Sequence, residues 1–132
     1  MNLAAENIFA LSQPDCYDCF VERYHSSFQV IRIRIERFSS MPLPAQNLME
    51  LVFTGVLYFE GALTWTGANF CIAAREACYE TLYRAQILTD DTDEDEVQET
   101  LDTYHLFLIR TASGFDAKLV ANAEDYAVNI IR

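Results

Sequence analysis

The chain has 132 residues, of which 52% are hydrophobic and 22% charged, and it carries a formal net charge of −11 at pH 7. That length supports one real hydrophobic core, and a single domain over residues 1–132 is expected. The acidic balance, with a pI near 4.4, repels phosphate backbones and anionic headgroups. Generic nucleic-acid or membrane-surface binding is therefore disfavoured, and a basic or apolar protein partner fits better.

The opening MNLAAENIFALSQPD lacks a basic start and meets Pro14 and Asp15 before any long apolar run, so it does not read as an export signal and the cytoplasm is the expected compartment. Residues 3–11 are expected to form a short helix that ends near Ser12 and Pro14. Cys16 and Cys19 follow as a CxxC, a spacing able to hold half a zinc site or a redox pair. The other half would have to come from Cys71, Cys78, His25 or His105, none of which repeats a close ligand pair, so four thiols, buried or half-exposed, are expected and no metal.

Residues 16–24 read as a strand, with a turn at His25, Ser26 and Ser27. Next comes the clearest local pattern: Ile31, Ile33 and Ile35 alternate with Arg32, Arg34 and Glu36, as in a half-buried strand. A helical stripe through Tyr24, Phe28, Ile31, Ile35 and Phe38 is the competing reading, and it ignores the β-branched enrichment. After SSMPLP, residues 45–60 place Leu48, Leu51, Val52, Gly55, Tyr58 and Phe59 at helical spacing, with Gly61 as the stop, and predict a helix. The apolar stretch 51–74 contains Glu60, Asn69, three glycines and four threonines, which makes a lipid-facing helix costly.

Residues 68–88 are either two strands or one helix with Cys71, Ala74, Cys78, Leu82 and Ala85 as its stripe. Thr92 with Asp95 resembles a capping box ahead of a helical stripe through Val97, Leu101, Tyr104 and Leu108. Ser113 with Asp116 opens a last expected helix carrying Phe115, Leu119, Ala123, Tyr126 and Ile130.

Little here points to catalysis. Gly55, Gly61 and Gly67 match no phosphate-binding fingerprint, and Lys118, the only lysine, lies far from them. His25 and His105 read as structural histidines. Eight of the twenty acids fall between Asp90 and Asp102. Acids favour a helix N-terminus, and the sharper alternative is mimicry of nucleic acid to capture a basic protein, which would want acids spread along a whole face. Arg23, Arg32, Arg34 and Arg37 gather on the expected strand pair, so the chain reads as a basic strip on an acidic body.

The order strand SSFQVIRIRIERF, proline-bearing break, helix LPAQNLMELVFTGVLYFEG, paired segments GANFCIAAREACYETLYRAQIL, acidic link LTDDTDEDE and helix VQETLDTYHLFLIR resembles the class I type III secretion chaperones. These are small acidic cytoplasmic proteins that hold bacterial effectors before export. The resemblance spans roughly residues 27–112 and implies an α+β fold, a small antiparallel sheet packed with helices. It also implies a homodimer without cofactor or ATP use, around which an effector segment wraps in extended form. The family has no invariant site motif, so the candidate residues are physical ones. Phe28, Val30, Arg32 and Arg34 share a strand face for cargo, and Val52, Val56 and Phe59 lie on the central helix for dimerisation. The competing reading is an all-α inhibitor or immunity-type protein that blocks a basic target through its acidic corner.

Overall fold

The computed structural model describes residues 3–25, 29–37, 48–111, 117–124 and 126–130. In chain order it forms β1 (Leu3–Ala5), β2 (Tyr17–His25), β3 (Val30–Arg37), β4 (Leu48–Phe53), β5 (Tyr58–Glu60), β6 (Thr64–Thr66) and β7 (Asn69–Ala73). Two helices follow, α1 (Arg75–Arg84) and α2 (Glu94–Thr103), and then β8 (Tyr104–Arg110), β9 (Ala117–Asn122) and β10 (Tyr126–Ile130). The class is α+β, with two antiparallel sheets, one ordered β1-β7-β8-β9-β5 and the other β10-β4-β3-β2-β6. Among the described residues no helix is long and apolar enough to cross a membrane.

Three layers result, and the middle one is the sheet built on β7, β8 and β9. One of its faces, with Phe70, Phe107, Ile109 and Leu119, packs on Ile31, Ile33, Ile35, Leu51 and Phe53 of the second sheet. Its other face, with Cys71, Leu106, Leu108 and Val120, packs on Cys78 and Leu82 of α1 and on Val97 and Leu101 of α2. Among the described residues the second sheet is covered on one side only. Its strands accordingly alternate in burial, as β3 does through Ile31, Ile33 and Ile35, whereas β8 buries four residues in succession, Leu106 to Ile109.

The expected strands at 16–24 and 30–37 are present, paired Tyr17 to Arg37 through His25 to Val30. Glu22 is the extra residue where the register shifts between Val21 and Arg23, a bulge that lets one strand serve two alignments. The helix expected at 45–60 is not formed. Its residues Met49, Leu51 and Phe53 alternate into the core from β4, which pairs with β3 and β10, and Tyr58 to Glu60 pair with β9. A short apolar run satisfies both periodicities, and pairing with distant strands decides between them. Gly61 ends no helix: it follows β5 with φ of 155°, where a Cβ would stand 2.8 Å from that of Ala117.

Residues 68–88 divide into a strand and a helix. α1 stops at Gln86, which adopts φ of 62° while Ile87 N–H donates to Leu82 and Gln86 N–H to Tyr83, a left-handed cap formed without glycine. The stripe Val97, Leu101, Tyr104, Leu108 is helical only in its first half, because the chain turns extended at Tyr104 and runs straight into β8. Asp93, not Thr92, is the N-cap residue, and no side chain caps α2; the Thr92 hydroxyl instead accepts from Thr89 N–H. The helix expected from Ser113 is replaced by β9 and β10, its residues 113–116 lying outside the described set.

Residues 3–11 form β1 and a turn, since Asn7 and Ala10 hold φ of 43° and 53°, incompatible with a helix. The Asn7 side chain closes the turn by donating to Leu11 O and accepting from Leu11 N–H. That turn delivers Phe9 to an aromatic group with Phe53, Phe70 and Tyr126.

Candidate functional site

Two surfaces carry the residues singled out above. The first is the uncovered face of the second sheet. Phe28 lies outside the described residues; Val30 is half-buried at the start of β3, and Arg32 and Arg34 point outward, as their alternation with the buried isoleucines requires. Arg32 and Arg34, without Val30, line a shallow groove of about 520 Å3 with Phe20, Glu50 and Leu63, the last 69% exposed.

This face is not a basic strip. Arg32 pairs with Glu50 at 3.0 Å, and Arg34 with Glu22 at 3.0 Å and Glu36 at 3.3 Å. The Arg34 guanidinium also stacks over the Phe20 ring at 4.7 Å, and that of Arg37 lies over Tyr17 at 5.6 Å. Glu36 lies two residues from Arg34 on the same strand, whereas Glu22 at the bulge of β2 and Glu50 on β4 became neighbours of the arginines only when the strands paired.

The expected dimer residues do not share a helix face. Val52 lies on the outward side of β4 opposite Arg32, Phe59 is half-buried in β5, and Val56 is buried in the domain's own core. Val56 cannot meet a second chain, because the interior between the two sheets already surrounds it.

The second surface is the outer side of the helical layer. Each helix buries one narrow pair of residues, Cys78 with Leu82 and Val97 with Leu101, four apart in each case. Every carboxylate from Glu76 to Asp102 is exposed: ten acids against the two arginines Arg75 and Arg84. The acids thus extend along both helices instead of occupying one corner. Arg75 bridges the helices, donating from Nη1 to Asp102 at 2.7 Å and from Nη2 to the Gln98 side chain at 2.7 Å. Between the helices lies a groove of about 530 Å3 floored by Val97 and Leu101 and walled by Tyr79. The rings of Tyr79 and Tyr83 are 6.0 Å apart, and the Tyr83 hydroxyl donates to Asp90 at 2.8 Å, which raises its pKa.

Sequence reasoning missed Tyr79 and Tyr83 as surface residues. Their spacing of four, interleaved with Glu76 and Glu80, is the signal, and it is readable only once 75–84 is known to be helical.

Three of the four thiols are buried in the core. Cys19 is fully buried, its thiol donating to Gly67 O at 3.4 Å, and burial followed by the nearby Asp18 charge pushes its pKa up to about 12. Burial likewise raises Cys78 to about 11. Both shifts run opposite to the thiolate activation a nucleophile or a zinc ligand needs. Cys16 is half-buried in the turn before β2, and among the described residues no group of three or more His, Cys, Asp or Glu could hold a metal ion. His105 lies on β8, not on a helix, and burial lowers its pKa against the opposing pull of Glu124.

Comparison with known proteins finds no matching family model, curated protein or solved structure.

Proposed function

We propose that this chain is a non-catalytic protein-binding domain whose acidic helical layer takes a basic protein partner. The observation that carries this reading is the charge distribution. The segment 75–102 holds ten exposed acids and two arginines, a net −8 out of the chain's −11, while Arg32 and Arg34 of the sheet face are paired with acids. A one-signed exposed surface steers oppositely charged partners and speeds their encounter.

The test compares two sets of variants against the proteins of the native cell. Glu94→Lys with Glu96→Lys alters the helical layer, and Val30→Asp with Arg32→Glu alters the sheet face. A basic protein retained by the wild type and the sheet variant, and lost by the helix variant, supports the reading. Retention by the helix variant with loss by the sheet variant overturns it.

That second outcome would favour a different reading, in which an extended effector segment is held for export as in the secretion chaperones. One observation supports it: Arg32, Arg34 and Leu63 share an exposed groove, and β10 is an edge strand of the same sheet. The order of elements on which the resemblance rested is not the observed one, since strands β4 and β5 stand where its central helix was expected.

A further inference from the structure

The groove between α1 and α2 adds chemistry that charge alone does not explain. Its floor, Val97 and Leu101, is the most accessible part of the core beneath the helices, at 7% and 8% exposure. Tyr79 stands at its wall, 39% exposed, and Glu76, Glu80 and Glu94 ring the opening. A solvated helix surface has no need of an aromatic ring and an aliphatic floor; placed inside a ring of carboxylates they complement a side chain that is apolar next to one that is cationic. Arg75, the one cation at the rim among the described residues, is held by Asp102 and Gln98, so it braces the two helices across the groove and leaves the carboxylates to face outward. The tethering of Tyr83 to Asp90 fixes the neighbouring ring and lowers the ordering cost of any contact with the pair.

Resting on the protein-binding reading, we propose that this groove docks a cationic amphipathic helix of the partner, laid against α1 and α2 as a third helix. An aliphatic or aromatic residue of that helix inserts between Tyr79 and Leu101, and lysines or arginines one turn away lie over Glu76, Glu80 and Glu94. Charge complementarity selects this occupant. Anionic helices, nucleic acid and anionic membranes are repelled by the same rim, and an extended strand finds no free sheet edge here, because the middle sheet lies beneath the helices. Ten-residue helices are about 15 Å long, enough to lie against two to three turns of a partner helix.

The test uses two synthetic peptides of equal length and equal positive charge. In one, leucine and lysine are spaced to give an amphipathic helix; in the other, serine replaces every leucine. Binding is measured by calorimetry on the full chain at low and at physiological salt, for the wild type and for Tyr79→Ala. Because Tyr79 is exposed, this variant should melt as the wild type does, which circular dichroism checks. The amphipathic peptide is expected to bind at least about tenfold more tightly than the serine peptide, a difference of about 1.4 kcal/mol. Tyr79→Ala is expected to remove that advantage and leave the weak, salt-sensitive remainder. Equal binding of both peptides, or an advantage that survives in Tyr79→Ala, overturns the groove while leaving electrostatic capture by the acidic layer intact. If neither peptide binds at low salt, the basic-partner reading itself falls.

Discussion

Leu106 and Phe107 are consecutive residues of β8, and they fill different cores. Leu106 points to the helices with Cys78, Leu82 and Leu101, and Phe107 points to the second sheet with Phe53 and Ile109. The middle sheet thereby ties the candidate docking layer to the sandwich behind it, so loss of either side chain should be felt by the whole domain.

Phe107→Ala should lower the free energy of unfolding by about 3–5 kcal/mol and Leu106→Ala by about 2–5 kcal/mol, since each leaves a cavity lined by apolar neighbours. Urea titration followed by circular dichroism measures both. A cost below about 1 kcal/mol at Phe107 would mean that the two sheets do not pack through this residue.

Arg34 joins the Phe20 ring, Glu22 and Glu36 on a face where its side chain and that of Glu22 are each 36% exposed. Exposed ion pairs contribute only about 0–1 kcal/mol. Arg34→Ala should therefore cost about 1 kcal/mol or less, and its effect should shrink only slightly in high salt, because contact with Phe20 does not depend on charge screening. A loss that vanishes in 1 M salt would assign the whole effect to the carboxylates.

The thiols should divide into one that is accessible and three that are not. At pH 8 a thiol-reactive dye should modify Cys16 first, and Cys19, Cys71 and Cys78 only after the addition of denaturant. The Cys19 pKa near 12 has a consequence for alkaline stability as well. Its folded value lies above the ordinary value of 9.0, so its contribution is fully present below pH 9 and is lost as pH rises toward 12. Cys19→Ala should melt at a temperature that falls less steeply between pH 9 and 11 than that of the wild type; parallel curves would refute this.

His105 acts at the other end of the pH scale. Burial holds its pKa below the ordinary 6.5, favouring the neutral ring, and its Nδ1 is buried without a hydrogen-bond partner among the described residues. A lowered folded value means that the contribution is whole above pH 6.5 and is lost as pH falls through that lowered value. The melting temperature of His105→Gln should drop less than that of the wild type between pH 7 and pH 5. A steeper drop in the variant would show that charging the imidazole does not oppose folding.

Where one face of a sheet stays in water, the residues announce it. Ile31, Ile33 and Ile35 in β3 alternate strictly with Arg32, Arg34 and Glu36, and that strand and its hairpin partner were readable from the chain alone, as were the net charge and the acidic concentration after Thr89. β9 offers no such pattern: Leu119, Val120 and Ala121 are all buried because both faces of its sheet are covered, and a run of that kind looks the same in a strand and a helix. β4 does alternate, but its six residues also fit a helical stripe, and only its register with β3 and β10 distinguishes the two. The docking surface divides in the same way. The carboxylates were visible as composition, whereas the groove they surround required α1 to end on a left-handed Gln86 and α2 to lie beside it, joined through Arg75. Composition and local periodicity determine charge and one-sided strands because those depend on neighbouring residues; pairings between residues far apart in the chain are decided by which apolar faces can be buried together, and only the folded structure shows that.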